Sequence, residues 1–196
     1  MREIFTRGEF DLYKSISLNE SLGEIRKSYS YYEKKKTSVF LSHKHDDLED
    51  LKGVIGFLEC NYSVKAYIDS ADPTMPAVTS GETAERIKQR ITDCERFILL
   101  ATNGAIESKW CNWELGFGDA QKMANKKIAI FPMKDKGQFD FQYKGNEYMD
   151  IYPSIIQCSG AETYRSTGRP IPAGLYVRYK MKDKPDEIVP LADWFK

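Results

Sequence analysis

Residues 96–132 read RFILLATNGAIESKWCNWELGFGDAQKMANKKIAIFP. Two short apolar runs, Phe97–Ala101 and Lys127–Phe131, flank residues 106–125, which carry helical spacing. Pro132 stops the second run, because proline cannot donate to a sheet ladder. Strand, helix and strand follow one another with strands apolar throughout rather than alternating. That pattern belongs to a parallel sheet covered by helices on both faces.

The same alternation extends upstream. Ser38–Ser42 (SVFLS) reads as a buried strand. Asp46-Asp-Leu-Glu-Asp50 opens a helix with acids in the first turn, where the helix dipole favours them. Leu48, Leu51, Ile55 and Leu58 form its inner face. Val64–Ile68 is a second strand, and Asp69–Ser80, with Pro73 and Pro76, is a long loop. Thr79 or Ser80 caps a helix whose inner residues are Ala84, Ile87 and Ile91.

The flanks are less regular. Leu18, Leu22 and Ile25 keep helical spacing, with Ser17 or Asn19 as cap, and Lys34–Lys36 marks a boundary. Phe139–Tyr143 followed by Lys144–Glu147 reads as a hairpin arm. A fifth strand is expected within Met149–Ile156, another at Leu175–Tyr179, and a short closing helix at Leu191–Phe195. The expected organisation is an N-terminal helical extension over 1–36, an α/β domain over 37–160 with a five-stranded parallel sheet, and an irregular C-terminal extension over 161–196.

Composition narrows the function classes. Of 196 residues, 29 are Lys or Arg and 29 are Asp or Glu, so no net charge draws the chain to nucleic acid or to an anionic membrane. Cys60, Cys94, Cys111 and Cys158 form no CxxC pair and imply neither a zinc site nor disulfides. Residues 1–14 lack an apolar signal-peptide core, and no apolar run approaches the ~18 residues of a membrane span. The expectation is a cytoplasmic protein that contacts neither membrane nor nucleic acid.

Open parallel sheets bind ligands at the carboxyl ends of their strands, where strand order reverses. In the flavodoxin-like order 2-1-3-4-5, that point lies between Ser42-His43-Lys44 and Thr102-Asn103-Gly104. The helix just beyond carries Ser108-Lys-Trp-Cys-Asn-Trp-Glu114-Leu-Gly-Phe-Gly118. Trp110, Phe117 and Gly118 share a face with Glu114. A carboxylate on so apolar a helix is costly unless paired, hydrogen-bonded or facing a cavity. Two readings of Glu114 stand here: a structural glutamate, either solvated or paired with Lys109 or Lys122, and a functional carboxylate.

Val39-Phe-Leu-Ser42, Ala66-Tyr-Ile-Asp69, Ser80-Gly-Glu-Thr-Ala-Glu-Arg-Ile-Lys88 with Arg96-Phe-Ile-Leu-Leu100, and Trp110-Cys-Asn-Trp-Glu-Leu-Gly116 together resemble a TIR domain. The resemblance covers about residues 37–135 and is nearest to stand-alone bacterial TIR proteins, including those of Thoeris anti-phage systems. It implies a flavodoxin-like TIR fold and an NAD-cleaving activity. Glu114, four residues after Trp110, matches the family's catalytic glutamate. Breaking the nicotinamide–ribose bond develops an oxocarbenium-like centre that a carboxylate stabilises. NAD is then substrate rather than cofactor, and no metal is needed. Products in the family are ADP-ribose or its cyclic and conjugated forms, made as a diffusible signal for a separate effector.

The resemblance also places substrate contacts at Ser42, His43, Asp69 and Trp110. For His43 the alternative is a structural histidine, and for Asp69 a cap on its loop. Residues 70–79 match the BB loop, through which TIR domains assemble, so self-association through 69–80 is expected. Trp113 reads as core. The aromatic tail from about 139 to 196 either walls the pocket or covers a sheet edge.

Other chemistries find little support. His43-Lys-His45-Asp-Asp47 lacks the final histidine of an HxHxDH metal motif, and the chain has only two histidines. There is no GxGxxG, GxxxxGK[ST] or GxSxG. A non-catalytic TIR interaction module is the main alternative, since fold alone does not set function. A nucleoside 2-deoxyribosyltransferase-like enzyme is a weaker one.

Overall fold

The computed structural model describes residues 1–14, 36–71, 80–138 and 147–196. The strands are β1 (Phe5–Thr6), β2 (Thr37–Ser42), β3 (Val64–Tyr67), β4 (Arg96–Ala101), β5 (Ile128–Lys134), β6 (Ser154–Cys158), β7 (Gly174–Tyr179) and β8 (Glu187–Pro190). The helices are α1 (Leu48–Asn61), α2 (Gly81–Asp93), α3 (Asn103–Glu107), α4 (Lys109–Lys122) and α5 (Leu191–Trp194).

The strand order is β3-β2-β4-β5-β6-β7-β8, with β1 beside β5. From β3 to β6 the pairing is parallel throughout. This is the expected 2-1-3-4-5 order, and the fold is flavodoxin-like. Side-chain alternation along the strands sorts the core into two layers. Val39, Leu41, Ile98, Leu100, Ala129 and Phe131 meet α1 through Leu51, Val54 and Leu58. Phe40, Phe97, Leu99, Ile128 and Ile130 meet α2 through Ile87 and Ile91 and α4 through Cys111 and Leu115.

The sheet has eight strands among the described residues, not the five parallel ones expected. Two needs account for the excess. β5 and β6 share one register pair, Ile130 with Ser154, and splay apart beyond it. The N-terminal segment fills the gap: β1 pairs with Met133–Lys134, and Arg2 exchanges both backbone hydrogen bonds with Gln157. The far edge of β6 is covered by antiparallel β7, and β7 by β8, which protects a buried strand from open pairing. The last third of the chain is therefore more regular than its composition suggests.

Three further expectations shift. The helix predicted over 106–125 is broken at Ser108, where Ser108 Oγ accepts the Cys111 amide at 3.4 Å and starts α4 afresh. The strand sought in Met149–Ile156 begins only at Ser154, after a 3-10 turn over Glu147–Ile151. The end of the tail packs away from the strand C-termini. Thr37 Oγ1 donates to Phe195 O at 2.6 Å, and Arg96 Nε donates to Trp194 O at 2.8 Å. Both anchors lie where β2 and β4 begin, at the opposite end of the sheet from Ser42 and Thr102. The helix expected near 17–25, the hairpin arm over 139–146 and loop residues 72–79 lie outside the described residues. No helix among the described residues is long and apolar enough to cross a membrane.

Candidate active site

Glu114 sits on α4, one turn before Gly118. A Cβ at Gly118 would stand 2.9 Å from the Phe97 ring, so only glycine lets α4 settle this closely on β4. That settling carries Glu114 against the end of β2. Its side chain is nearly enclosed, with the residue 5% exposed. Ser42 Oγ, at the last position of β2, donates to Glu114 Oε2 at 2.5 Å.

Neither lysine proposed as a partner reaches Glu114. Lys122 donates to Thr92 O at 3.0 Å and Cys94 O at 2.7 Å, closing the end of α2, while Lys109 is exposed. Among the described residues Glu114 has no ion-pair partner. Burial therefore raises its pKa to about 8, with the Ser42 hydrogen bond opposing the rise and nearby Asp69 adding to it. A buried carboxyl with one hydroxyl partner and no cation is poorly explained as a structural group.

His43 and Asp69 gather at the same end of the sheet. The His43 ring is enclosed, and its Nδ1 lies 3.3 Å from Leu41 O and 3.8 Å from Asp69 Oδ1. Its Nε2 lies 3.3 Å from Ser70 Oγ. These partners fit a neutral ring with the proton on Nδ1, and burial holds its pKa below the ordinary value against the pull of Asp69. The Asp69 side chain is about one-third exposed, at the start of a 3-10 turn over Asp69–Ala71. Trp110 lies at the surface, 39% exposed, with its ring edge-on to Trp113 at 5.2 Å. Trp113 is only partly buried. It stacks on Phe117 at 6.4 Å, and the Lys88 ammonium stands 5.8 Å from its ring, so it is not the core residue expected.

Sequence reasoning missed the support beneath these residues. Asp47, 1% exposed, accepts the Thr102 hydroxyl at 2.5 Å and pairs with Arg7. Thr102 Oγ1 in turn accepts the Ala105 amide at 3.0 Å. One carboxylate thus ties the loop after β2 to the end of β4. A visible signal was an aspartate directly before the first apolar position of α1. Cys111, one turn before Glu114, lies against Ser42, and burial pushes its thiol up to about 11, so it stays protonated. No group of metal-ligating side chains occurs among the described residues.

A TIR-domain model matches residues 39–154, from within β2 to the start of β6, a span that holds Ser42, His43, Asp47, Asp69, Thr102, Trp110 and Glu114 but not Arg7. The chain belongs to the TIR-domain family. This TIR protein is also 30% identical over 167 residues to a protein of Bacillus cereus (strain MSX-D12) named probable 3' cyclic ADP-D-ribose synthase ThsB'. The match covers 79% of this chain and 83% of that relative.

Proposed function

We propose that this TIR protein cleaves the nicotinamide–ribose bond of NAD+ and closes the ADP-ribosyl unit into a cyclic signal for anti-phage defence, with Glu114 as the catalytic residue. The observation that carries the reading is an enclosed carboxyl at the strand C-termini whose one protein partner is a hydroxyl. Similarity to the Bacillus cereus protein named a probable 3' cyclic ADP-D-ribose synthase supports it.

The raised pKa of Glu114 suits this substrate. In the free protein the carboxyl is largely protonated at neutral pH. The nicotinamide ring of NAD+ is a cation, and an adjacent cation favours the carboxylate. Substrate binding therefore ionises the group where the anion is needed. The C–N bond breaks with its electron pair leaving on nicotinamide, which departs neutral. The carboxylate stabilises the ribosyl cation and accepts hydrogen bonds from the ribose hydroxyls. A hydroxyl of the adenosine ribose then attacks the same carbon and loses its proton, closing the ring. Water attacking instead yields ADP-ribose.

Within this reading Ser42 aims Glu114, and Trp110 stacks on an aromatic ring of the substrate. Asp69 contacts the ribose, and His43 contacts the substrate side of the pocket while holding Asp69 and Ser70. Self-association through loop 69–80 assembles the active form, in the cytoplasm, and a separate effector receives the product.

The test is incubation of purified protein with NAD+, reading free nicotinamide and product mass, with Glu114→Gln as control. Nicotinamide and a dehydrated ADP-ribose mass, both absent in the variant, are expected. Near-normal turnover by Glu114→Gln refutes the assignment. No turnover by either protein, resting or assembled, makes the chain an interaction module.

A further inference from the structure

The N-terminal arm, residues 1–14, is built into the fold more tightly than a sheet-edge cover requires. β1 pairs with Met133–Lys134, and the Arg7 amide donates to Lys134 O at 2.9 Å. Phe5 and Phe10 are buried on Phe131, with ring centroids 4.5 and 5.6 Å away. The arm then crosses α1 where that helix carries two glycines. A Cβ at Gly53 would stand 2.7 Å from Phe10 O, and one at Gly56 would overlap Tyr13 O. The helix face is shaped for the backbone of this arm.

The arm also delivers one cation to a buried anion. Arg7 pairs with Asp47, lies 2.9 Å from Asp50 through Nη1, and 2.8 Å from Asp135 through Nε. Asp50 also accepts the Gly8 amide at 2.8 Å. Among the described residues Arg7 is the only cation on Asp47, and Asp47 joins Thr102 at the end of β4 to the loop after β2. A planar guanidinium meets three carboxylates at once, which an ammonium on a flexible stem cannot do as well.

We infer that Arg7 is a positioning residue for the reaction: acting through Asp47 and Thr102, it holds the ends of β2 and β4 at the spacing that brings Ser42 onto Glu114. The inference rests on the NAD+-cleaving reading for its kinetic consequence and on the arm's geometry for its structural one. A displacement of about an ångström at a catalytic group costs on the order of a hundredfold in rate.

The experiment uses the full chain with Arg7→Gln and Arg7→Lys, reading nicotinamide release and hydrogen exchange by segment. For Arg7→Gln, kcat is expected to fall on the order of a hundredfold with KM nearly unchanged. Exchange should quicken over 43–51 and 102–107 while 174–179 keeps its protection. Arg7→Lys should restore part of kcat. A second variant, Gly56→Ala, displaces the arm with Arg7 intact and should quicken exchange in the same two segments. It stands in for Arg7→Gln should that variant not fold. Wild-type kcat in folded Arg7→Gln, or exchange rising evenly along the chain, overturns the inference. If wild-type protein releases no nicotinamide, the functional reading fails separately, and the exchange pattern decides the arm.

Discussion

Replacing Glu114 by Gln should make the protein more stable while it removes activity, and the gain should depend on pH. Gln keeps the shape of the protonated carboxyl and can still accept from Ser42, but it never ionises. In the wild type the folded-state pKa is about 8 against an ordinary value of 4.5. The sign follows from linkage. Below pH 4.5 both folded and unfolded states hold the proton, and burial carries no ionisation penalty. As pH rises from there, the unfolded chain gains by ionising and the folded one does not, so stability is lost until the folded group titrates at about 8. At about 1.4 kcal/mol per unit, the loss is about 1 kcal/mol near pH 5 and about 4 kcal/mol near pH 8. Urea unfolding of both proteins at those two pH values measures it. The variant should be the more stable at the higher pH, with the gap nearly closing at the lower. A gap that ignores pH, or a variant weaker than wild type near pH 8, would show that Glu114 is ionised and compensated in the folded protein.

The same group sets the pH dependence of catalysis. The value of kcat/KM for nicotinamide release should rise with pH to a midpoint at about 8, while the midpoint in kcat lies lower because the bound pyridinium favours the carboxylate; coincident midpoints would rule out that coupling. Ser42→Ala removes a hydrogen bond to the charged form worth about 1.5–3 kcal/mol, so the kcat/KM midpoint should move alkaline by one to two units and the neutral-pH rate should fall at least about tenfold. Gly118→Ala presses a methyl group against Phe97 at 2.9 Å and should cost about 1–3 kcal/mol in urea unfolding, and wild-type stability would mean that α4 sits less closely on β4. Reversing the charge of Asp72 in the loop after β3 should weaken self-association measured by light scattering, and unchanged assembly would move the contact elsewhere.

Much of the fold was legible because its signals are local. Phe97–Ala101 and Ile128–Phe131 are apolar at every position because both faces of those strands are covered, and composition shows this directly. The intervening helices display their buried faces through spacing. Glu114 stood out for the same reason, as a charge among apolar neighbours on one short helix. The broken helix at Ser108, the late start of β6 and the ordered tail were harder to read. Each is set by capping or edge pairing rather than by periodicity.

What the chain alone determined is the class of each segment and which side chains each face presents, since strand and helix periods are properties of neighbouring residues. Tertiary structure decided the partners. Ser42 and Glu114 are 72 positions apart, Asp47 and Thr102 are 55, and Arg7 and Asp47 are 40. No local pattern links them. They meet because parallel pairing aligns the ends of β2 and β4, and because the arm and α4 pack closely enough, at glycines, to bring their side chains to those ends. Burial then gives Glu114 its raised pKa, a property that comes from the surrounding fold and not from the residue.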